Sequence, residues 1–336
     1  MRQPKPINKG DAIYMVAPSF GVTTEPYSIR YVEALKRFKA KGYRIIEGGN
    51  VLLEEGVAAS TTPEKRGKEI NDAFASDASL ILSVGGGETM VEMLPFVDFD
   101  AIKKGEPKWF MGFSDNTNLT LPLVLLTETI SIYGPCAPSF YQKKWRVSEE
   151  DSFRLLAGET HLEGYPKFSI TRSNKLHPLW AYRLTQPKII QPHSYRGPFS
   201  GRLIGGCLDC ILGLVGTPYG NVPEYAERHK EEGIIFFFEA CDLNPLSIRR
   251  GLFQLKQAGW FKYAKGFLLG RHLCRDQEWL GVNKYNAVLD ILSPLGLPIL
   301  MDIDLGHIPP SLPIKVGAKA TVSLNDENNI VFDYDE

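Results

Sequence analysis

The sequence predicts an α/β fold with two domains, an N-terminal parallel-sheet sandwich that contains a nucleophile elbow and a C-terminal mixed α/β domain. Its 336 residues are about twice the length of one typical domain, so each half can bury its own core. Short apolar runs alternate with helical periodicity in the first part, which is typical of a parallel sheet. One of these runs passes through a polar turn into a new helix, which is the pattern of an elbow.

Strands and helices alternate along the predicted N-terminal domain. Val32, Leu35 and Phe38 share one face of the first helix, and Gly42 ends it. Pro63 and Glu64 are typical of the first turn of a second helix. The predicted strands cover residues 12–17, 43–46, 80–84 and 109–113, and the predicted helices cover about residues 28–42, 63–76 and 115–126.

The domain boundary is predicted where this periodicity fades. Pro, His and aromatic residues scatter after residue 156, so the chain is divided into a domain at 1–160, linker and loops at 161–196, and a domain at 197–336. The second domain is predicted to contain strands at 234–238, 266–269 and 299–303, with helices at 207–214, 245–258 and 285–292.

Charge and composition exclude several kinds of partner. Lys and Arg number 38 against 39 Asp and Glu, and no segment interleaves basic and aromatic residues, so no nucleic-acid partner is expected. The first apolar run, residues 12–17, is too short for a signal peptide or a membrane span, so we expect a cytoplasmic protein without a membrane partner. The five cysteines are an odd number without a signal sequence, which favours reduced thiols.

Ser114 lies where an apolar strand meets residues that begin a helix. In Gly112-Phe113-Ser114-Asp115-Asn116, a sharp turn would expose the serine oxygen at the carboxyl end of the sheet, and the Asp115 N–H could stabilise an oxyanion. The Gly-x-Ser-x-Gly pattern of α/β-hydrolases is absent. The alternative interpretation is that Ser114 only caps the helix.

Glu239 and His307 could assist such a serine. Glu239 follows the apolar run 234–238, where a buried carboxylate would need a partner, although it could also point to solvent. His307 lies in a loop stiffened by two prolines, which could hold a catalytic imidazole or a structural one. Together they form a possible set in which His307 takes the Ser114 proton and Glu239 orients the ring.

Three glycines follow the strand at 80–84. Gly85-Gly86-Gly87 lacks dinucleotide-loop and P-loop spacing, so nucleotide binding is a weak interpretation. The turn could present the N–H groups of Gly86 and Gly87 to an oxyanion, or it could be an ordinary tight turn.

A pair of cysteines has the spacing of a metal or redox site. Cys207 and Cys210 could form zinc ligands with Cys241, His272 or Cys274. No second Cys-x-x-Cys accompanies them and the helix start is apolar, so packed thiols are the favoured interpretation and no metal is expected.

The chain resembles the LD-carboxypeptidases and the microcin C self-immunity peptidases, and the resemblance spans most of it in order. The motifs that carry it are Gly112 to Thr117, Glu239, Gly306-His307, Gly201 to Gly206, Gly10-Asp11 with Ala17 to Ser19, Tyr133-Gly134-Pro135, Gly216-Thr217-Pro218, Gln254 to Gly259 and Leu269-Gly270.

The resemblance implies a serine peptidase. Its nucleophile Ser114 would come from the N-terminal domain, Glu239 and His307 from the C-terminal domain, and the oxyanion hole from Asp115 and the Gly85 to Gly87 turn. It also implies a homodimer without cofactors whose partner is a small peptide or aminoacyl-nucleotide substrate. One branch of the family releases the terminal D-alanine of murein tetrapeptides, and the other cleaves the amide that joins an aminoacyl group to a nucleotide-like toxin.

Departures from the family pattern concern the substrate. Glu88 ends Val84-Gly85-Gly86-Gly87-Glu88, where LD-carboxypeptidases carry Arg-Gly-Gly-Tyr-Gly, and Cys207 replaces an asparagine. Arg249 stands where an aspartate is usual. We therefore assign Glu88 and Cys207 to substrate binding, while Tyr133-Gly134-Pro135 favours the immunity branch.

Three functional hypotheses follow. The first is a metal-independent serine peptidase acting on murein tetrapeptide, with microcin C immunity-type cleavage as its alternative. The second is a relative that binds a peptide or nucleotide without cleaving it. The third is a thiol or zinc protein built on Cys207 and Cys210.

Overall fold

The computed structural model describes residues 1–170 and 177–335, which divide into two compact units. The first unit contains the described residues of 1–159, 177–182 and 313–316, and the second contains those of 160–170, 183–312 and 317–335. Each unit is built on its own sheet. The predicted two-domain mixed α/β class is confirmed.

The sheet of the first unit has the order β16-β5-β4-β3-β1-β2 among the described residues. All of its neighbouring strands are parallel except β16, which pairs antiparallel with β5. The strands are β1 Ala12–Val16, β2 Arg44–Glu47, β3 Leu80–Ser83, β4 Trp109–Gly112, β5 Ser131–Tyr133 and β16 Ile314–Val316.

Helices of the first unit pack their apolar residues against this sheet. Pro63 lies at the first position of α2, where its missing N–H leaves no hydrogen bond unmade. The negative charge of Glu64 stabilises the helix because the N-terminal end of a helix dipole is positive. Phe110 of β4 shares a buried cluster with Leu119 and Leu123 of α4. The helices are α1 Tyr27–Ala40, α2 Pro63–Ala75, α3 Phe99–Lys104, α4 Thr117–Thr127 and α5 Val147–Leu156.

The main sheet of the second unit has the order β6-β18-β17-β10-β11-β12-β15-β9 within the described part of the chain. Its four central strands, β10, β11, β12 and β15, are parallel to one another. Antiparallel strands extend both edges. The strands are β6 His161–Glu163, β9 Gln191–His193, β10 Phe199–Cys207, β11 Ile234–Glu239, β12 Ala264–Gly270, β15 Ile299–Ile303, β17 Lys319–Leu324 and β18 Ile330–Tyr334. Two small hairpins pair β7 Lys167–Phe168 with β8 Gln186–Pro187, and β13 Glu278–Trp279 with β14 Val282–Asn283.

Helix α8 shows how local sequence sets the helices of the second unit. Asn244 caps it by accepting a hydrogen bond from the Ser247 N–H at 3.0 Å, and Pro245 occupies its first position. Ile248 and Leu255 face the core, and Gly259 follows the helix with φ +79°. The helices are α6 Leu208–Leu214, α7 Val222–Arg228, α8 Pro245–Gln257 and α9 Lys284–Leu292.

The structure differs from the sequence prediction at the domain boundary. Residues 161–196, predicted as linker and loops, contain edge strands β6 and β9 of the second sheet, while residues 177–182 belong to the first unit. Strand β16 lies within the predicted C-terminal domain but pairs with β5 of the first unit. These strands are short and their partners are distant in sequence, so periodicity gave no sign of them.

Candidate active site

Ser114 occupies a strained turn between β4 and α4. Its φ is +62°, a left-handed conformation that costs an L-residue about 1–2 kcal/mol. Such strain concentrates at functional sites and is a feature of nucleophile elbows. Helix α4 has Asn116 at its N-cap, so capping of that helix does not account for Ser114.

Neighbouring residues hold this turn in place. A Cβ on Gly112 would lie 2.5 Å from Cγ of Asn116, so only glycine fits there. The Asn116 side-chain amide donates to the carbonyls of Gly85 and Phe113, both at 2.9 Å. The Ser114 N–H donates to the Tyr133 hydroxyl oxygen at 3.0 Å, a contact that the sequence analysis did not predict because its partner lies on another strand.

The Asp115 carboxylate is used within the fold. It is 2 % exposed and accepts hydrogen bonds from the Ser19 hydroxyl at 2.5 Å, the Met90 N–H at 3.0 Å and the Asn118 amide at 2.8 Å. Burial raises its pKa, against the opposing effect of these hydrogen bonds. The side chain therefore anchors the turn, and only the backbone of Asp115 is left for the predicted oxyanion role.

The glycine turn after β3 lies against Ser114. A Cβ on Gly86 would lie 3.3 Å from Cβ and 3.5 Å from Oγ of Ser114. A Cβ on Gly87 would lie 2.2 Å from the Ser19 hydroxyl oxygen, which excludes larger residues. This proximity fits the oxyanion role predicted for Gly86 and Gly87, whereas Glu88 is exposed.

Glu239 and His307 form a hydrogen-bonded pair in the second unit. Glu239 ends β11 with no exposed surface, and its Oε2 lies 2.8 Å from Nδ1 of His307. Gly306 has φ +97°, and a Cβ there would lie 2.5 Å from the same Oε2. The glycine thus lets the histidine loop approach the carboxylate, and the alternative in which Glu239 points to solvent is excluded.

The pair makes His307 strongly basic. Burial alone would lower its pKa, but the Glu239 carboxylate, together with a hydrogen bond to Cys241, raises the pKa of His307 to about 10. Nδ1 faces Glu239, so the carboxylate fixes the orientation of the ring.

The loop after β11 is fixed by a carboxylate that the sequence analysis missed. Asp209 accepts hydrogen bonds from the N–H groups of Cys241 at 3.0 Å, Asp242 at 2.8 Å and Leu243 at 3.2 Å. It thereby positions Cys241, the thiol that contacts His307. Asp209 lies between Cys207 and Cys210, and the sequence analysis considered only these two cysteines as functional candidates.

Cys207 lies beside the pair. It ends β10, is paired in register with Glu239, and is 1 % exposed. A hydrogen bond with Cys210, burial and the Glu239 charge all raise the pKa of its thiol. A substrate role for Cys207 stays a prediction. Arg249 pairs with Asp290 of α9 at 2.5 Å, so its guanidinium connects two helices.

Residues 1–170 and 177–335 also bear on metal binding and on membrane insertion. All five cysteines are free thiols. No group of three or more His, Cys, Asp or Glu side chains in those ranges could hold a metal ion. Within the same ranges, no helix combines the length and the apolar character that crossing a membrane requires.

The structure therefore assembles two sets of predicted residues. Ser114, Asp115 and Gly86 are neighbours in the first unit, with Gly87 in the same turn. Glu239, His307 and Cys207 are neighbours in the second. The combination of the two sets into one triad stays a prediction.

Both halves of the chain are similar to known proteins. The sequence model of the LD-carboxypeptidase N-terminal domain matches residues 13–134, and that of the C-terminal domain matches residues 200–322. The microcin C7 self-immunity protein MccF of Escherichia coli is 26% identical, over 96% of this chain and 93% of that protein. A "Probable murein peptide carboxypeptidase" of Bacillus subtilis is 25% identical, over 98% and 94%.

A solved structure shares the fold. MccF in complex with aspartyl sulfamoyl adenosine superposes with a TM-score of 0.83 at 24% identity, covering 99% of this chain and 98% of that one. The two matched domains together account for more than half of the sequence. The chain belongs to the LD-carboxypeptidase family of peptidases.

Proposed function

We propose that this protein is a metal-independent serine peptidase that cleaves an amide outside ordinary protein substrates. The observation that carries the proposal is the pairing of Glu239 with His307 at 2.8 Å in one unit, together with the left-handed Ser114 in the other. A strained serine and a carboxylate-oriented imidazole are the parts from which serine hydrolases are built.

In the proposed reaction Ser114 Oγ adds to the amide carbonyl carbon while its proton moves to Nε2 of His307. The N–H groups of Asp115 and of the Gly86 and Gly87 turn stabilise the oxyanion. The C–N bond then breaks, and His307 returns the proton to the leaving nitrogen. Water hydrolyses the resulting ester by the same steps, and Glu239 stabilises the imidazolium throughout.

The proposed substrate is a murein tetrapeptide, from which the enzyme would release the terminal D-alanine. The family match and the Bacillus subtilis relative named for murein peptide support it. Glu88 and Cys207 replace residues usual on the substrate side, so we expect these two positions to affect which substrate is accepted.

The second candidate is immunity-type cleavage of an aminoacyl-nucleotide amide. It is favoured by the Tyr133-Gly134-Pro135 motif, which resembles that branch and whose tyrosine hydroxyl accepts the Ser114 N–H at 3.0 Å, beside the proposed nucleophile. The likeness to MccF, whose solved complex holds aspartyl sulfamoyl adenosine, also supports it.

Mass spectrometry of products tests both candidates. Purified protein is incubated with a murein tetrapeptide and, separately, with an aminoacyl sulfamoyl adenosine. We expect loss of D-alanine from the first, and release of the amino acid from the second would instead establish the immunity-type activity. Tight binding of either compound without any product would support a non-catalytic binding protein and contradict the proposal.

A further inference from the structure

Two loops of the first unit supply the N–H groups of the proposed oxyanion hole. The turn after β4 carries the Asp115 N–H, and the turn after β3 carries those of Gly86 and Gly87. The two glycine N–H groups donate to no other group among residues 1–170 and 177–335, so they are available to a ligand. Such donors act on a transition state only when they are held within about 0.5 Å of the right place, so the two loops must be fixed relative to each other.

Ser19 lies between these two loops. Its side chain is fully buried, and its hydroxyl donates to Oδ2 of Asp115 at 2.5 Å. The same oxygen packs against the glycine turn, because a Cβ on Gly87 would lie only 2.2 Å from it. The next residue extends the contact, since the Phe20 N–H donates to the Gly86 carbonyl at 3.2 Å. One short segment therefore contacts both sources of oxyanion donors.

The backbone around Ser19 is held without its hydroxyl. The Ser60 N–H donates to the Ser19 carbonyl at 2.7 Å. The buried Arg66 donates through Nη1 to the carbonyls of Pro18 and Thr89, both at 3.1 Å. This arginine thereby joins the segment of Ser19 to the end of the glycine turn. We therefore expect the segment to stay folded when the hydroxyl is removed.

The Asp115 carboxylate makes the alignment sensitive to that hydroxyl. A buried carboxylate that loses a donor moves toward the donors that remain, because an unmade hydrogen bond is costly there. For Asp115 these include the Met90 N–H at 3.0 Å and the Asn118 amide at 2.8 Å. Loss of the Ser19 hydroxyl is therefore expected to shift the Asp115 N–H relative to the glycine turn.

We propose that Ser19 is a positioning residue that aligns the two halves of the oxyanion hole. The inference rests on the proposed peptidase reaction, in which the oxyanion forms at these N–H groups. Ser19 acts through Asp115 and the glycine turn and not on the reacting atoms. Its loss therefore slows the chemical step, in which charge develops on the carbonyl oxygen, and leaves binding of the uncharged amide unchanged.

Steady-state kinetics of two matched serine variants test the inference. Ser19→Ala is compared with Ser152→Ala, which changes a fully buried serine of α5 whose hydroxyl donates to the Ser148 carbonyl at 2.9 Å. The substrate is the murein tetrapeptide or the aminoacyl sulfamoyl adenosine, whichever the wild-type protein cleaves. We expect kcat of Ser19→Ala to fall about tenfold to a hundredfold while KM changes less than about twofold. Ser152→Ala should lower the thermal midpoint similarly and keep the wild-type kcat.

A fluorophosphonate measures the same alignment without a natural substrate. Its phosphorus bonds to Ser114 Oγ as fluoride leaves and the serine proton passes to the base, and the phosphoryl oxygen takes the place of the oxyanion. Mass spectrometry follows the added mass with time. We expect labelling to be about tenfold slower in Ser19→Ala and unchanged in Ser152→Ala. Ser114→Ala protein, which should gain no mass, is the control for the site of labelling.

Amide hydrogen exchange tests the contact itself and needs no reaction. The Phe20 N–H reports on its hydrogen bond to Gly86, and we expect NMR to show about tenfold faster exchange in Ser19→Ala than in wild-type or Ser152→Ala protein. If Ser19→Ala does not fold, Ser19→Cys replaces it, because a thiol of similar size is a weaker donor. Ser152→Cys is then the control, and smaller changes in the same direction are expected.

The inference is overturned if folded Ser19→Ala protein keeps the wild-type kcat and labelling rate. It is equally overturned if the loss appears in KM and not in kcat, or if exchange of the Phe20 N–H is unchanged. If the wild-type protein neither cleaves a substrate nor reacts with the fluorophosphonate, the proposed function fails. Exchange at Phe20 then decides alone whether Ser19 joins the two loops.

Discussion

At the scale of single residues, the proposed chemistry depends on a strained serine and on a histidine whose pKa the fold raises. Ser114 keeps a left-handed backbone because Gly112, Asn116 and the Tyr133 hydroxyl enclose it. His307 is mostly buried, and a fully buried carboxylate 2.8 Å away raises its pKa. The sequence identified Ser114, Glu239 and His307 as candidate residues. The contacts that hold them in place could not be predicted, because they connect residues far apart in the sequence.

The raised pKa of His307 predicts an alkaline pH optimum. The ring must be neutral to accept a proton from Ser114, yet Glu239 and the contact with Cys241 raise the pKa of His307 to about 10 against the effect of burial. We therefore expect kcat/KM to rise with pH through the neutral and alkaline range. Glu239→Gln removes the charge, so the rising limb should move to lower pH while the maximal rate falls. A limb at the same pH in both proteins would contradict the assignment of His307 as the base.

Tyr133 provides a milder test of the same turn. Tyr133→Phe removes the hydroxyl that accepts the Ser114 N–H, a hydrogen bond worth about 1 kcal/mol. We expect kcat to fall about fivefold to tenfold and the thermal midpoint to change little. Tyr43→Phe, in the same unit with its ring packed 5.4 Å from that of Phe153, is the control and should retain full activity. Equal kinetics of the two variants would exclude the role given to Tyr133.

At the scale of elements, most parallel strands were predicted, whereas the short parallel strand β5 and the antiparallel edges were not. Strands β1, β4, β11 and β15 are mostly apolar runs that end close to a turn or to polar residues, so their positions were predicted to within one residue. Strand β17 alternates buried and partly exposed residues, and β17 and β18 pair with each other, with β10 and with β6, all distant in sequence except for their own hairpin. Their stability comes from that pairing and not from local sequence.

The elbow predicts a specific intolerance at Gly112. Gly112→Ala places a methyl group where the Asn116 side chain now lies, so the amide must leave the carbonyls of Gly85 and Phe113. We expect the free energy of unfolding to fall by about 1–3 kcal/mol, as for other overpacked sites, with loss of most activity. Gly49→Ala is the matched control, because no atom lies within 4 Å of its added Cβ. Urea denaturation measures both, and equal stabilities would refute the packing argument.

At the scale of the whole molecule, neither unit is one continuous segment. The first unit also contains residues 177–182 and 313–316 from the second half of the chain, and strand β16 extends its sheet. Sequence periodicity divides a chain only into consecutive segments. It therefore could not show that separate segments belong to one unit, and residues 161–196 were predicted as a linker. The cytoplasmic location and the homodimer stay predictions.

A chelator tests the proposed chemistry of the complete enzyme. The proposed reaction would use Ser114, His307 and Glu239 as nucleophile, base and orienting carboxylate, and it would need no metal-bound water. We expect turnover to be unchanged after dialysis against EDTA and in a sample shown to be metal-free. Loss of turnover on chelation, restored by added zinc, would instead support the site imagined around Cys207 and Cys210.

The central claim is that Ser114 is the nucleophile, and turnover by two serine variants tests it most directly. Ser194 is an exposed serine of the second unit with φ +52°, so Ser194→Ala matches Ser114→Ala in chemistry and backbone strain. With the rate of D-alanine release from murein tetrapeptide as the measure, we predict a loss of about 10⁴-fold or more for Ser114→Ala and none for Ser194→Ala. Wild-type turnover by correctly folded Ser114→Ala protein would contradict the account.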